Sequence, residues 1–364
     1  MKVGMIGAGA EAKEVQLPTF SSMEEVELVA IVDIDEKTAK SAAKKNNIPK
    51  VYTEYHDLLN NKNIDIVSIC VPFYLHKQMA VDCAQAGKHI LIEKPMAVTV
   101  QDADEIIKAV KENDVKLCIV QNYRLFPSVI ESKDRIDNGR IGEIISMHAH
   151  MLDFPPLGAG ASDWRTDRQG GVIEDIGPHL IDIVLYLTDC KKMKQIYATG
   201  GNIGGNLDVI DHAQIMIEFE NGALATLDLS WMTGTKEIAL YVQGTGGLLH
   251  CDIRNNHVQE IHQYTTPLND ISDTIKKVSK IVKGAISGDY FIGSKQYFLK
   301  IVADFIESIE NDTKPPMSVE EGRNVALVID SAFKSIKEQR PLYGLRGNVR
   351  LLEVIEKSDK TVDR

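Results

Sequence analysis

The chain has 364 residues, 44% of them hydrophobic and 26% charged, with a formal net charge of −11. That length suits two domains better than one core. The acidic balance argues against a nucleic-acid-binding surface and against attachment to anionic lipid. Five cysteines (Cys70, Cys83, Cys118, Cys190 and Cys251) form no C-x-x-C pair. They read as small buried hydrophobes in a reducing cytoplasm, and no metal site is expected. The N-terminus, MKVGMIGAGAEAK, is a strand and a Gly turn rather than a signal peptide. No apolar run reaches the roughly 18 residues needed to span a bilayer. A cytoplasmic protein without membrane or nucleic-acid partners is expected.

In chain order, short apolar runs rich in β-branched residues alternate with helix-like segments. The strand candidates are Val3 to Ile6, Glu27 to Asp33, Ile64 to Val71, His89 to Glu93 and Lys116 to Val120. The helix candidates are Glu36 to Asn46, His76 to Ala86 (with Gly87 placed to end it) and Gln101 to Asn113. Near-continuous apolar strands belong to parallel sheets covered on both faces, so this half is predicted to be a doubly wound α/β domain. Beyond Val120 the pattern changes. Pro127 to Asn138 reads as a helix, Glu143 to Met151 as a strand, and 153–171 as a Gly/Pro-rich loop before a helix from about Gly177 to Leu187. Ala213 to Phe219, Ala223 to Trp231, Glu237 to Gln243 and Leu248 to Ile253 read as an antiparallel meander, with Asn221-Gly222 as a hairpin turn. Amphipathic helices follow at 296–310 and 318–338, while 255–295 has no clear pattern. The expected domains are 1–121 (α/β), 122–340 (α+β) and a C-terminal extension, 341–364.

Gly7-Ala8-Gly9-Ala10-Glu11-Ala12 follows the first strand and opens a helix, matching G-x-G-x-x-G/A with Ala12 third. Gly7 permits the tight turn, Gly9 lets backbone approach a pyrophosphate, and Ala12 is small enough for helix and strand to pack. Amides at the helix start, from Ala10 onward, face the phosphates. Asp33 ends the second strand, 21 residues beyond Ala12, and is placed to bind the ribose hydroxyls. Its carboxylate repels a 2′-phosphate, which favours NAD over NADP. Asp35 is the alternative ribose acid.

Lys94, in Glu93-Lys94-Pro95, falls at the carboxyl edge of the fifth strand candidate, where open α/β sheets bind ligands. There it can hydrogen-bond a hydroxyl or carbonyl; the plain alternative is a surface lysine after a strand. Asp175-Ile176-Gly177-Pro178-His179 opens a helix, with Pro178 suited to the first turn. Asp175 has the chemistry of an N-cap, its structural alternative, and lies four residues before His179. His179 is suited to take a proton near neutrality; alone, such a histidine is more often packed or solvated.

Three stretches together resemble the glucose–fructose oxidoreductase / inositol dehydrogenase / MocA family: the N-terminal fingerprint, AGKHILIEKPMA at 86–97 and GGVIEDIGPHLID at 170–182. The resemblance covers almost the whole chain. It implies a Rossmann domain followed by an α+β domain whose large, mostly antiparallel open sheet forms a homodimer or homotetramer interface. It implies hydride transfer between NAD(P) and a carbinol of a sugar, sugar nucleotide or cyclitol. It makes Lys94, Asp175 and His179 the catalytic trio. Pro72 and His76 match a loop beside the cofactor, Glu93 an acid near the nicotinamide ribose, and Gln121 to Arg124 the opening of the substrate side. The family often has an Asn soon after that loop's proline; Phe73-Tyr74 stands here instead, so a polar contact to the nicotinamide side is in doubt. Tyr123, Arg124, Trp164 and Arg165 are substrate-side candidates. Trp164 reads equally as a packed loop residue. Arg124, Arg165 and Arg168 suit a substrate carboxylate or phosphate if they converge.

The leading expectation is oxidation of a secondary alcohol, with His179 taking the hydroxyl proton, Lys94 bonding the same oxygen and Asp175 orienting either. Lys94 and His179 are free to exchange roles at this level. Two other readings stand beside it: a glycoside hydrolase that oxidises its sugar transiently with NAD, and a non-catalytic NAD sensor.

Overall fold

The computed structural model describes residues 1–156, 164–166, 170–189, 192–205, 207–262 and 289–343, with 275, 278 and 279 besides. Cys190, Asp163, Arg168 and nearly all of the C-terminal extension lie outside the described residues.

The N-terminal half contains β1 (Lys2–Ile6), α1 (Leu17–Ser22), β2 (Glu27–Val32), α2 (Glu36–Lys45), β3 (Lys50–Tyr52) and α3 (Tyr55–Leu59). β4 (Ile66–Ile69), α4 (His76–Gln85), β5 (His89–Glu93), α5 (Val100–Glu112) and β6 (Leu117–Val120) complete it. The strands pair in parallel in the order β3-β2-β1-β4-β5-β6. This is the Rossmann order, and the switch in direction falls between β1 and β4, where the carboxyl-edge loops part and leave a crevice. The loops after β1 and β4 therefore face each other across the position where a dinucleotide binds. Burial explains the apolar strands: every residue of β4 and β6 is buried.

The second half contains α6 (Pro127–Asp137), β7 (Ile144–Leu152), α7 (Val172–Asp175), α8 (Gly177–Thr188), β8 (Met193–Gly201), β9 (His212–Phe219) and β10 (Leu224–Ser230). It continues with β11 (Glu237–Gly244), β12 (Leu248–Asp252), β13 (His257–Ile261), α9 (Asp289–Glu310), α10 (Val319–Glu338) and β14 (Leu342–Tyr343). Its sheet runs β13-β12-β11-β7-β10-β9-β8-β14. The pairs are antiparallel except β7 with β10, because the first strand of the half inserts between β11 and β10 rather than joining an edge. One face is apolar and alternates with an open face: along β9, Ala213, Ile215, Ile217 and Phe219 are buried and Gln214 and Met216 exposed. That alternation is what a half-covered antiparallel sheet requires.

Two features depart from the expected organisation. α9 falls in the predicted second domain, yet Phe298, Ile301, Val302 and Phe305 pack into the first core, with Phe298 edge-on to Phe20 at 5.3 Å. The chain thus returns to the Rossmann half after completing the second sheet. β8 was not among the expected strands; a register shift between Met193 and Gln195 marks a bulge in it. Among the described residues no helix is long and apolar enough to cross a membrane.

Candidate active site

The Gly loop is built as the fingerprint requires. Gly7 sits at φ +97°, and a Cβ there would lie 2.1 Å from the Cys70 carbonyl oxygen, so only glycine lets β1 turn over the end of β4. A Cβ at Gly9 would meet nothing within 4 Å. The loop is open on that side, as a backbone meant to approach a phosphate should be. Ala12 is fully buried. The residues present therefore fit a dinucleotide.

Asp33 is held at the mouth of this loop. The Ala8 amide donates to its Oδ2 at 2.8 Å and the Asp35 amide to its Oδ1 at 2.9 Å. Asp35 serves elsewhere, as the cap of α2, where it accepts from the Lys37 amide at 3.1 Å and the Thr38 hydroxyl at 2.7 Å. These bonds hold its carboxyl below the usual range, Thr38 contributing most. Asp33 is thus the acid that faces the loop. Beside it Ile34 is 95% exposed, an apolar side chain at the rim that the acid's motif did not flag.

Behind the loop the helix starts at Ala10 and runs through a π-helical turn, Ala12–Gln16, before α1. Such turns recur at functional sites because they re-aim a side chain. Here the turn aims Gln16 at the end of β5. Gln16 Nε2 donates to Glu93 at 2.6 Å, and the Ser68 hydroxyl donates to Gln16 Oε1 at 2.8 Å. Burial pushes the Glu93 carboxyl up to about 7, with Glu11 adding to the rise and Lys94 opposing it. Neither Gln16 nor Ser68 carries a motif, which is why sequence reasoning missed both.

His76 does not project into the crevice. It is fully buried, with Nδ1 2.8 Å from the Pro95 carbonyl and Nε2 2.9 Å from the Val71 carbonyl. Burial pushes its pKa down to about 4, so the ring is neutral and donates to one of the two. The cofactor contact assigned to His76 is corrected accordingly: it ties the β4 loop, which includes Pro72, to the turn at Lys94–Pro95, whose peptide is cis.

Lys94 crosses the domain boundary. Its Nζ donates to the Asp175 carbonyl at 2.6 Å and to the Asp175 carboxylate at 3.3 Å. Both side chains are mostly buried, at 18% and 16% exposure, so the pair is not an ordinary surface salt bridge. Asp175 is not the N-cap of the histidine helix. It ends α7, and Ile176 precedes α8, leaving the carboxylate free for Lys94.

His179 lies in the first turn of α8, 8% exposed, with its ring 4.2 Å from that of Tyr123. Burial, with Lys94 second, holds its pKa well below the usual imidazole range. Its Nδ1 has no hydrogen-bond partner among the described residues, and neither do Gln121 Oε1, Asn122 Oδ1 and Glu174 Oε2. Orphaned buried polar atoms are rare, and here four come from the two segments flanking Lys94. A polar ligand would satisfy them. Tyr123 is itself pushed up to about 12, chiefly by burial, with Asp153, Asp175 and Glu11 adding to it.

The structure places two of the substrate-side candidates. Arg124 is spoken for: Nε donates to Asp182 at 3.0 Å, Nη2 donates to the same carboxylate, and Nη1 donates to Glu321 at 2.6 Å. Three of its five N–H donors are committed to carboxylates and the residue is 7% exposed, so it is held as a buried clamp rather than presented to a substrate. Trp164, in the single helical turn Trp164–Thr166, packs edge-on against Phe73 at 5.4 Å. The aromatic that stands where a polar residue was expected therefore packs against the turn Trp164–Thr166. Arg165 shares that turn.

Glu174 precedes Asp175 and is held at about 7 rather than 4.5 by burial, with its own backbone amide opposing and Asp175 adding to the rise. A carboxyl raised in the folded state binds more protons there than in the unfolded chain. Its contribution is present in full below pH 4.5 and is lost as pH rises to about 7. Ionising it in place costs about 3 kcal/mol. Glu174→Gln should therefore match wild type in denaturant unfolding at pH 5 and exceed it by up to that amount at pH 8. Parallel pH profiles for the two proteins would contradict this origin of the shift.

A parallel sheet with an open Gly loop, facing a lysine and a neutral histidine across a domain boundary, defines a dinucleotide-dependent oxidoreductase. Residues 1–121 match the family description "Oxidoreductase family, NAD-binding Rossmann fold", and residues 129–250 match "GFO/IDH/MocA C-terminal domain". The chain belongs to the Gfo/Idh/MocA oxidoreductase family. It is 24% identical over 369 aligned positions to a myo-inositol 2-dehydrogenase of Thermotoga maritima, covering 98% of this chain and 100% of that one. In fold it is similar to the WlbA dehydrogenase of Bordetella pertussis in complex with NADH and UDP-GlcNAcA, with TM-score 0.81, 20% identity and coverage of 94% and 97%. It is also similar to a levoglucosan dehydrogenase in complex with NADH and levoglucosan, with TM-score 0.80, 22% identity and coverage of 94% and 98%.

Proposed function

We propose that the protein is an NAD-dependent dehydrogenase acting on a secondary alcohol of a sugar, sugar nucleotide or cyclitol. The observation that carries this reading is the meeting of Lys94, ion-paired to Asp175, with a buried neutral His179 whose Nδ1 is unpartnered among the described residues. Bound nicotinamide dinucleotide supplies the hydride acceptor or donor. Gly7, Gly9, Ala10 and Ala12 hold its diphosphate, Asp33 its adenosine ribose, and Pro72, Glu93 and Gln121 border its reactive end.

The chemistry of the two side chains assigns their roles. An ammonium has three donors and no lone pair; two of its bonds here go to Asp175. Lys94 therefore donates its third N–H to the substrate oxygen and stabilises alkoxide character there. A neutral imidazole has a lone pair, so His179 accepts the hydroxyl proton. Asp175 holds the lysine in place. Tyr123 forms the wall behind His179. Trp164 and Arg165, in one short helical turn, are the further substrate-side candidates. Asp33 supports NAD over NADP, because its fixed carboxylate would face a 2′-phosphate. Relatives named for an inositol and for levoglucosan support a polyol substrate, and the commitment of Arg124 leaves less to recognise a substrate carboxylate.

The open face of the second sheet carries Met216, Leu224 and Tyr241 at 44%, 44% and 39% exposure. Cross-strand register places them on one side, with Met216 opposite Thr226 and Tyr241 opposite His148. This face supports assembly as a homodimer or homotetramer.

The test is a panel of inositols, aldoses and UDP-sugars assayed with NAD and with NADP. NADH should form with at least one polyol, faster than NADPH. Release of free sugar without accumulating NADH would replace this reading with glycoside hydrolysis. Dinucleotide binding without turnover on any member would replace it with a sensor.

A further inference from the structure

Gln16 is a polar side chain in an apolar place. It is fully buried, between the buried Val15 and Leu17. A buried amide without partners costs stability that an apolar side chain of the same volume does not. Gln16 has partners on two strands. Its oxygen accepts from the Ser68 hydroxyl of β4 at 2.8 Å, and its Nε2 donates to Glu93 Oε1, at the end of β5, at 2.6 Å. The reverse amide orientation would set the Gln16 oxygen against that carboxylate, so the network fixes this one. The turn that delivers Gln16 follows from the sequence. Pro18 stands in the first turn of α1, where its ring excludes the carbonyl four residues back, that of Glu14. The backbone widens instead, and the Leu17 amide bonds to the Ala12 carbonyl, five residues back. The wide turn leaves position 16 facing the sheet, behind the Gly loop.

Glu93 is the residue this arrangement holds. Gln16 donates to its Oε1, and the Lys94 amide donates to its Oε2 at 3.3 Å. A carboxylate has about four acceptor sites, two on each oxygen. Each oxygen of Glu93 thus keeps one, the pattern a vicinal diol can use with one hydroxyl to each oxygen. We propose that Gln16 is a positioning residue for the reactive half of the dinucleotide: tied to Ser68, it fixes the Glu93 carboxylate so that the two remaining acceptor sites receive the hydroxyls of the nicotinamide ribose. This rests on the dinucleotide reading above. The adenosine half is held separately, by Asp33, which the Ala8 amide fixes at 2.8 Å. The effect of Gln16 is therefore confined to ligands that carry the second ribose, and it passes through Glu93.

The experiment is equilibrium binding to the full chain, NADH by its fluorescence and ADP by calorimetry, for wild type, Gln16→Met, Gln16→Asn, Glu93→Ala and the double variant Gln16→Met with Glu93→Ala. Gln16→Met fills the space and removes both bonds. Gln16→Asn keeps the amide but is a methylene shorter and does not span Ser68 and Glu93. Both should weaken NADH by roughly tenfold to a hundredfold, the worth of a hydrogen bond to a charged group. ADP, which ends at the diphosphate, should bind both as it binds wild type. In the Glu93→Ala background, Gln16→Met should cost no further NADH affinity. Retained ADP binding shows that the Gly loop and its helix are folded; if Gln16→Met loses it, Gln16→Asn decides. Equal loss of ADP and NADH in both single variants, unchanged NADH affinity in both, or the full further loss in the Glu93→Ala background would overturn the role of Gln16 and leave the dehydrogenase reading standing. Failure of wild type to bind NADH would overturn both.

Discussion

His179→Ala should lower kcat by about 10²–10⁴-fold, the usual worth of a positioned general base, with NADH affinity little changed. The loss has no local remedy. Lys94 donates to Asp175 on two bonds and offers no lone pair. Tyr123, whose ring lies 4.2 Å from that of His179, is pushed up to about 12 and is a poor proton acceptor near neutrality. Lys94→Ala should fall by a similar factor for a different reason: it removes the donor to the developing alkoxide and leaves the mostly buried Asp175 carboxylate without its partner. The two variants should separate in their pH profiles. Because burial and Lys94 hold His179 neutral to well below the usual imidazole range, wild-type kcat/KM should lose no activity to this group as pH falls through 6.5. Removing the charge of Lys94 should move the acid limb of His179 upward. Near-wild-type turnover in both alanine variants would remove these residues from the chemistry.

Arg124→Met should cost about 3–5 kcal/mol of stability, the penalty for stranding a buried charge. The arginine joins the end of β6 to Asp182 on α8 and Glu321 on α10, so one guanidinium ties the Rossmann half to the helix that carries His179. Glu321 keeps other bonds, because the Ser318 amide and hydroxyl donate to it in a capping box. Asp182, 2% exposed, keeps none that matches the lost fork. Arg124→Met with Asp182→Asn should therefore lose less than Arg124→Met alone, and Arg124→Lys should restore only part, since an ammonium does not reproduce the two-pronged geometry. Denaturant unfolding of the four proteins decides it; a loss below about 0.5 kcal/mol for Arg124→Met, the ordinary range for a surface change, would show that the clamp is inert.

The fold was legible where local pattern and tertiary role coincide. Buried parallel strands such as β4 and β6 are apolar throughout, and Gly7 needs its positive φ wherever the motif occurs. β8 was not among the expected strands: its bulge sets Met193 out of step with Ile196 and Ala198, and it ends in two glycines. Nor was the return of α9 to the first core, because an amphipathic helix does not say which sheet it covers. In the site, Lys94 and Asp175 were readable as candidates, but only the structure shows that α7 ends at Asp175 and frees its carboxylate from capping. Arg124 shows the converse. An arginine after a strand edge has the same sequence signature whether it reads a substrate or fills a buried clamp; its partners, at 182 and 321, are distant in the chain. Gln16 was hidden for a third reason. Its position depends on the π-helical turn, which has no sequence period.

The most direct test of the central claim is to follow the hydrogen itself. The first polyol that yields NADH should be prepared with deuterium on each carbinol carbon in turn and reacted with wild type, Lys94→Ala and His179→Ala. Deuterium should pass from one carbinol position into the reduced nicotinamide of wild type, leaving a ketone, and the transfer should fall sharply in both variants. Retention of all label in the sugar, or equal transfer by the variants, would contradict the account.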